Sequence, residues 1–564
     1  MLSKNLLYLL CLSFIPSILA NEDGVIRPSK TELLKRDGNL TSTKLFPTFH
    51  ATGTDGFVYQ VDVGFGTLSQ EISLRVDIAQ PYIWALDGDY YPSCSSVQNS
   101  TKCQSNGAYY VEDSPGGLVV SSETGNYTFL DLIQVNGSTV QENLLTFGNL
   151  SHKDYYYNDF DDYYNPNIKT ELNSFNLSDV RFIDANHSNI KIGALGLAGP
   201  DSDDDYSEND NFIELLKSEK FINSSSYSIY PKDDYKLDII LGAVNQSLYF
   251  EPLVKFDKLP YLDQLQSNGK DAIRYNYPIA PLTNMYITNK AGSKASVFSN
   301  QNQTVPVLLD SRAIFSFLPS DVIVNLAIQL NAYYSSSDSL WFVKCSVGNL
   351  GAALGFQFGN VTVNVPISNF IYPLYTDDDS EAVTFDDGEP ACGWTVAPNS
   401  NLGYSILGTN VLQAMYLVVD NEADDIAIAQ ANNYYYSQLN NTHLSLSPIT
   451  TTAAYDSSVI LSGNIPFTTA NNITDTKVTF SSVSAASDQS TVYQGGATAI
   501  YSSGQIFTGD YFPTTTTSNP SKSRTTGGST SSTEVMEAEG NILMRNGVTS
   551  GLGGLCLFFI SLLI

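Results

Sequence analysis

The chain of 564 residues carries 58 acidic against 28 basic side chains, a formal net charge of −30. Contacting nucleic-acid phosphates takes a basic face, so this balance excludes nucleic acid as a partner. Four His and the absence of any CxxC pair speak against a metal site, while the length exceeds what a single core organises, so two lobes are expected.

In chain order, residues 1–20 combine an early Lys, a short apolar stretch and Ala20 at the expected cut, the pattern of a secretory signal peptide. Residues 21–36 read as a short pro-segment ending at Lys35-Arg36. That pair is either a dibasic processing site or a solvated charged pair. From about 55 to 430, short apolar or alternating runs broken by Gly, Asn and Asp predict strands: YQVDVGF (59–65), ISLRVDI (72–78), LDIILGA (237–243), VTVNVPI (361–367) and YLVVD (416–420). Helical patterns are confined to 211–221 and 320–334, so the fold class is mainly β. Acidic runs at 158–165, 201–210 and 377–387 read as solvated loops; beside a cleft they would attract cationic substrates.

From residue 436 the composition shifts to Ser, Thr, Asn and Gly with few charges. The tract to 538 reads as a glycosylated stalk, most clearly at 514–534. Residues 539–564 hold small residues, a polar spacer and the apolar GLGGLCLFFISLLI. That is the pattern of a glycosylphosphatidylinositol (GPI) attachment signal removed on processing, and its apolar part falls short of the ~20 residues of an ordinary span.

Outside the signal and the tail, the cysteines are Cys94, Cys103, Cys345 and Cys392. An even number in an oxidising compartment predicts two disulfides in one of three connectivities, and proximity favours Cys94 with Cys103 and Cys345 with Cys392. Thirteen Asn-x-Ser/Thr sequons predict heavy N-glycosylation: Asn39, Asn99, Asn126, Asn136, Asn149, Asn176, Asn186, Asn223, Asn245, Asn302, Asn360, Asn440 and Asn472.

A weak internal repeat carries the functional reading. LRVDIA (74–79) is followed later by IGALGLAGP (192–200), and VLLDSR (307–312) by YSILGTN (404–410). Each half thus has an apolar strand ending in Asp, Asp77 or Asp310, and a later apolar pair followed by Gly. A buried carboxylate needs partners to offset its desolvation, so two such positions in matched lobes call for a chemical use.

With these residues in view, the chain resembles the pepsin-like aspartic proteases, and within them the fungal yapsins, cell-surface members with a lipid anchor. The resemblance covers roughly 57–431: YQVDVGFGTLSQ (59–70) is similar to the opening strand and turn, and Asp77 with Trp84 to the first catalytic motif. IGALGLAGP is similar to the glycine strand, LLDSRAIFSFLP (308–319) to the second motif, and 405–431 to the C-terminal signature. It implies a bilobal pepsin-like fold within a core of 37–435, with an N-lobe of about 55–250 and a C-lobe of about 251–431. It also implies a mechanism in which Asp77 and Asp310 face each other and share one proton. The ionised member activates a water and the protonated one donates to the developing oxyanion, with no metal or cofactor. Peptide or protein substrates, cleavage near basic residues, attachment to plasma membrane and cell wall, and a monomeric state are the accompanying expectations.

Both motifs depart from the family's Asp-Thr-Gly. The first reads Asp77-Ile78-Ala79-Gln80 and the second Asp310-Ser311-Arg312-Ala313. Ser311 keeps the hydroxyl that links the two loops across the lobes, whereas Ile78 lacks it. Arg312 puts a large cation where the family has Gly; beside the dyad it favours two ionised carboxylates and works against a shared proton. Counting back from 129–135 places Val119 where the family's flap carries Tyr, with Tyr109, Tyr110 and Tyr127 nearby. Three readings follow: an endopeptidase of weak or specialised activity, a pseudoprotease whose cleft binds peptide or wall polymer, and a structural glycoprotein whose Asp residues satisfy turn N–H groups.

Overall fold

A computed structural model describes residues 48–54, 58–89, 107–129, 133–147, 175–190, 192–200, 210–233, 236–263, 272–298, 304–335, 340–376, 381–399, 404–432, 458–460, 465, 468–470, 497–502 and 505–509. The signal, the pro-segment, Cys94, Cys103, Asn39, Asn99, Asn149, Asn302, Asn440, Asn472 and the tail lie outside them.

The fold is mainly β and two-lobed. A sixteen-stranded sheet begins in the N-lobe with strands 118–129, 133–142, 180–188, 83–86, 193–196, 70–77, 58–65 and 48–54. It then crosses through 236–241 and 226–233 to the C-terminal strands 415–420 and 425–431, and on to 249–257. The C-lobe adds a five-stranded sheet (279–282, 305–309, 405–407, 316–318, 396–398), a four-stranded sheet (294–296, 284–288, 353–358, 361–366) and a seven-stranded one. All five runs with strand patterning form strands, within one or two residues at each end.

Helix Phe212–Ser218 starts where Asn211 accepts the N–H groups of Ile213 and Glu214, and Lys217 lies in its last turn. Helix Ser320–Leu330 buries Val322, Ile323, Leu326, Ala327 and Leu330, an apolar stripe at helical spacing. It is shorter than the sequence pattern of 320–334. Asn331 turns left-handed at φ 53° and closes it, and Tyr333–Ser335 become a strand against Leu340–Lys344. Cys345 and Cys392 are bonded, with Cα atoms 5.0 Å apart.

Two further expectations are corrected. The tract from 436 is not all stalk: strands Ser458–Ile460, Thr468–Ala470, Ala497–Ser502 and Gln505–Gly509 pair with the core, and Ile465 and Ile506 are buried in it. Edge pairing and a few apolar anchors suffice where average composition argues against folding. Among the sequons, Asn245 is only 3 % exposed, on a strand whose N–H donates to Tyr416 Oη, and leaves no room for a glycan. Asn126, Asn176, Asn223 and Asn360 are exposed, and Asn136 and Asn186 are half-buried.

Candidate active site

Both Asp-bearing strands end in the same backbone arrangement. Strand Gln70–Asp77 pairs in parallel with Gly193–Gly196, Gly196 opposite Asp77, and the Leu197 N–H donates to Asp77 O at 2.8 Å. In the C-lobe, Val305–Leu309 pairs in parallel with Ser405–Leu407, and the Asp310 N–H donates to Leu407 O at 3.0 Å. The loop after each Asp then folds across the glycine. A Cβ on Gly196 would be driven into Gln80 O and Tyr82 O, and one on Gly408 into Ala313 O and Phe315 O. Those carbonyls lie three and five residues beyond Asp77 and Asp310, so the weak sequence repeat is a structural two-fold. Only glycine has the room this crossing requires.

The two loops meet through Ser311. Its Oγ–H donates to Val76 O at 2.8 Å and accepts the Ile78 N–H at 3.1 Å. Ile78 returns nothing from its side chain, so half of a reciprocal link remains. Trp84 donates its indole N–H to Gln80 Oε1 at 3.2 Å, and both are fully buried. Asn421, in the turn of the C-terminal hairpin, donates to Ser225 O and Leu197 O and accepts from Lys258 Nζ at 2.7 Å. This buttresses the N-lobe side of the site from the C-terminal strands.

Asp77 and Asp310 are both fully buried, and so is Arg312. Arg312 closes back on its own motif: Nε donates to Asp310 Oδ1 at 2.9 Å and Oδ2 at 3.0 Å, and Nη2 donates to Oδ2 at 2.7 Å. The Arg312 N–H adds a bond to Oδ1 at 2.8 Å. The same Nε lies 3.5 Å from Asp77 Oδ1, so the guanidinium sits between the carboxylates. Asp77 Oδ1 accepts the Ala79 N–H at 3.0 Å, and its Oδ2 faces Arg75 Nη2 at 3.2 Å.

The site is thus two carboxylates against two guanidiniums, all inaccessible to solvent or nearly so. Burial works against the charge of Arg312, but Asp310 and Asp77 outweigh it and hold the guanidinium protonated far above its ordinary range. Burial lowers Arg75, with Asp77 pulling the other way. Burial pushes Asp77 up, against the pull of Arg312 and Arg75.

This geometry opposes the shared-proton mechanism. A general base needs a lone pair aimed at water within hydrogen-bond reach. The lone pairs of Asp310 are taken by one guanidinium and one backbone N–H, and that guanidinium occupies the space between the carboxylates. A charge-assisted bidentate pair is among the strongest hydrogen-bonded arrangements a protein makes.

Arg75 escaped the sequence reading. It stands two residues before Asp77 on a strand, hence on the same face, and that period-two spacing was the available signal. Val119, expected at the flap, lies on a hairpin strand. Strand Leu118–Phe129 pairs along Ile133–Glu142 with a register shift between Ser121 and Gly125, and Val119 is exposed. Tyr109 is a core residue, its Oη donating to Glu142 Oε1 at 2.6 Å and its ring edge-on to Phe182. Tyr110 is exposed, while Tyr127 packs beside Tyr82, at 5.7 Å, on the apolar cluster that contains Trp84. No cluster of His, Cys, Asp and Glu suited to a metal ion occurs among the described residues.

Two lobes related by matched Asp loops and crossing glycines define the architecture of a two-aspartate peptidase. Residues 58–431 match the eukaryotic aspartyl proteases, and the chain belongs to that family. It is 30 % identical to aspartic proteinase yapsin-7 of Saccharomyces cerevisiae over 93 % of this chain and 90 % of that protein. It is 26 % identical to aspartic proteinase MKC7 of the same yeast, over 72 % and 69 %. Secreted aspartic protease 9 of Candida albicans is 25 % identical over 46 % and 45 %.

Proposed function

We propose that this chain is a cell-surface, yapsin-like protein whose cleft engages peptide or wall material while peptide hydrolysis is blocked by Arg312. The observation that carries this reading is the bidentate grip of Arg312 on Asp310, with the same guanidinium 3.5 Å from Asp77. Location outside the cell is supported by the signal pattern of residues 1–20 and by similarity to a secreted aspartic protease. Attachment through a GPI anchor is supported by the pattern of 539–564. The net charge of −30 supports basic segments as ligands, and the yapsin resemblance supports a role in organising the cell wall.

A second reading is favoured by one feature. Both Asp residues keep their matched loops, and Ser311 still joins those loops across the lobes. An endopeptidase cutting beside basic residues, active only when Arg312 leaves Asp310, would use this frame. The test is incubation of residues 37–538 at pH 4–6 with a peptide library rich in Lys and Arg, beside an Asp77→Asn, Asp310→Asn double variant. Equal absence of cleavage, with both proteins folded by circular dichroism, is expected. Cleavage that disappears in the double variant overturns the first reading in favour of the second.

A further inference from the structure

Four short strands from the Ser/Thr-rich tract are built into the body at two separate places. Ser458–Ile460 pairs with Ala243–Asn245, and Thr468–Ala470 adds a parallel strand beside Leu253–Lys255, at the outer edge of the large sheet. Ala497–Ser502 and Gln505–Gly509 form a hairpin inserted in the seven-stranded C-lobe sheet, between Tyr333–Ser335 and Thr384–Phe385. Each place has a buried apolar anchor. Ile465 enters the cluster of Tyr230, Val244, Tyr249 and Tyr416, and Ile506 that of Phe342, Val383 and Phe385. Burying an isoleucine stabilises by about 1.5–3 kcal/mol, which opposes the ordering of so short a strand. Both places are strand edges that would otherwise stand open to other chains.

We infer that the strands at 458–460, 468–470, 497–502 and 505–509 act as a belt, a permanent part of the folded body that closes these sheet edges and shortens the tether to the anchor. The tether length rests on the proposed GPI attachment after residue 538; the belt itself does not. Measured from the last docked strand, the 29 residues 510–538 span at most about 100 Å at ~3.5 Å per residue. A stalk starting at 436 would reach at most about 360 Å on the same scale. The body is thereby kept close to the surface that holds it, which restricts the cleft to ligands near that surface.

The register of the belt gives a test in the full-length chain. Gln505 lies opposite Thr384, the former exposed and the latter half-buried, so replacing both does not threaten the core. The Thr384→Cys, Gln505→Cys pair should oxidise spontaneously, with loss of maleimide labelling and a reductant-sensitive gel shift. A Thr384→Cys, Thr508→Cys control is displaced by about 10 Å along the strand, beyond bridging distance, and should stay labelled. Persistent labelling of the first pair, or equal oxidation of both, overturns the belt. Ile506→Asp should lower Tm by several degrees where Ile506→Val changes it little, and an unchanged Tm for the Asp variant also overturns it. Neither readout involves the anchor. Release from membranes by a phosphatidylinositol-specific phospholipase tests the GPI reading independently.

Discussion

Arg312 and Asp310, two residues apart on one turn, form a bidentate ion pair with Nη2 2.7 Å from Oδ2 and no solvent access to either side chain. Such a pair carries a desolvation cost that its attraction only partly offsets, so removing one partner and removing both have opposite consequences. Arg312→Met leaves Asp310 buried without its partner and should cost about 3–5 kcal/mol. The Asp310→Leu, Arg312→Met double variant should recover most of this loss, ending near the parent or above it. Urea unfolding midpoints of the three proteins decide the matter. A double variant no more stable than Arg312→Met would show that the pair is not an isolated charge unit.

Restoring the family's motif tests whether Arg312 is the block. Ile78→Thr, Ala79→Gly and Arg312→Gly together return a hydroxyl beside Asp77 and clear the space between the carboxylates. Peptide cleavage at acid pH is expected in this triple variant, and its abolition by Asp310→Asn would assign it to the dyad. An inactive triple variant that unfolds like the parent would place the defect elsewhere, the exposed Val119 at the flap position being the first candidate.

Much of the fold was legible because its signals are local. The strand ending in Asp77 and the later Gly196 could be read as a repeat of Asp310 and Gly408, since both crossings demand glycine at the same place. The helix ends before its sequence pattern does, because Tyr333 and Tyr334 prolong the apolar pattern while the left-handed Asn331 that closes the helix leaves little trace beside them. The strands after residue 457 leave no trace for a different reason. Composition averages apolar content over a long tract, whereas docking depends on Ile465, Ile506 and the strand edges they lie beside. Arg312 was suspect as a residue type, but its grip on Asp310 is a matter of side-chain direction that sequence does not contain.

Asp184 supplies a pH dependence away from the dyad. It lies on strand Val180–Ser188 opposite Ala85 and Ser138, is buried, and makes no hydrogen bond through Oδ1. Burial first, then the neighbouring Asp87 and Asp89, raises it to about 8, against about 3.9 for an unfolded Asp. Between those values the folded chain holds a proton that the unfolded chain has released. Its contribution to stability is therefore complete at low pH and is lost as pH rises through about 8. Asp184→Asn keeps the shape without the charge. It should stabilise the protein by about 2–3 kcal/mol at pH 8 and by much less near pH 4. Urea unfolding at intervals from pH 4 to 9 would show this as two curves that diverge with rising pH, whereas parallel curves would mean that Asp184 is ionised in the folded chain throughout.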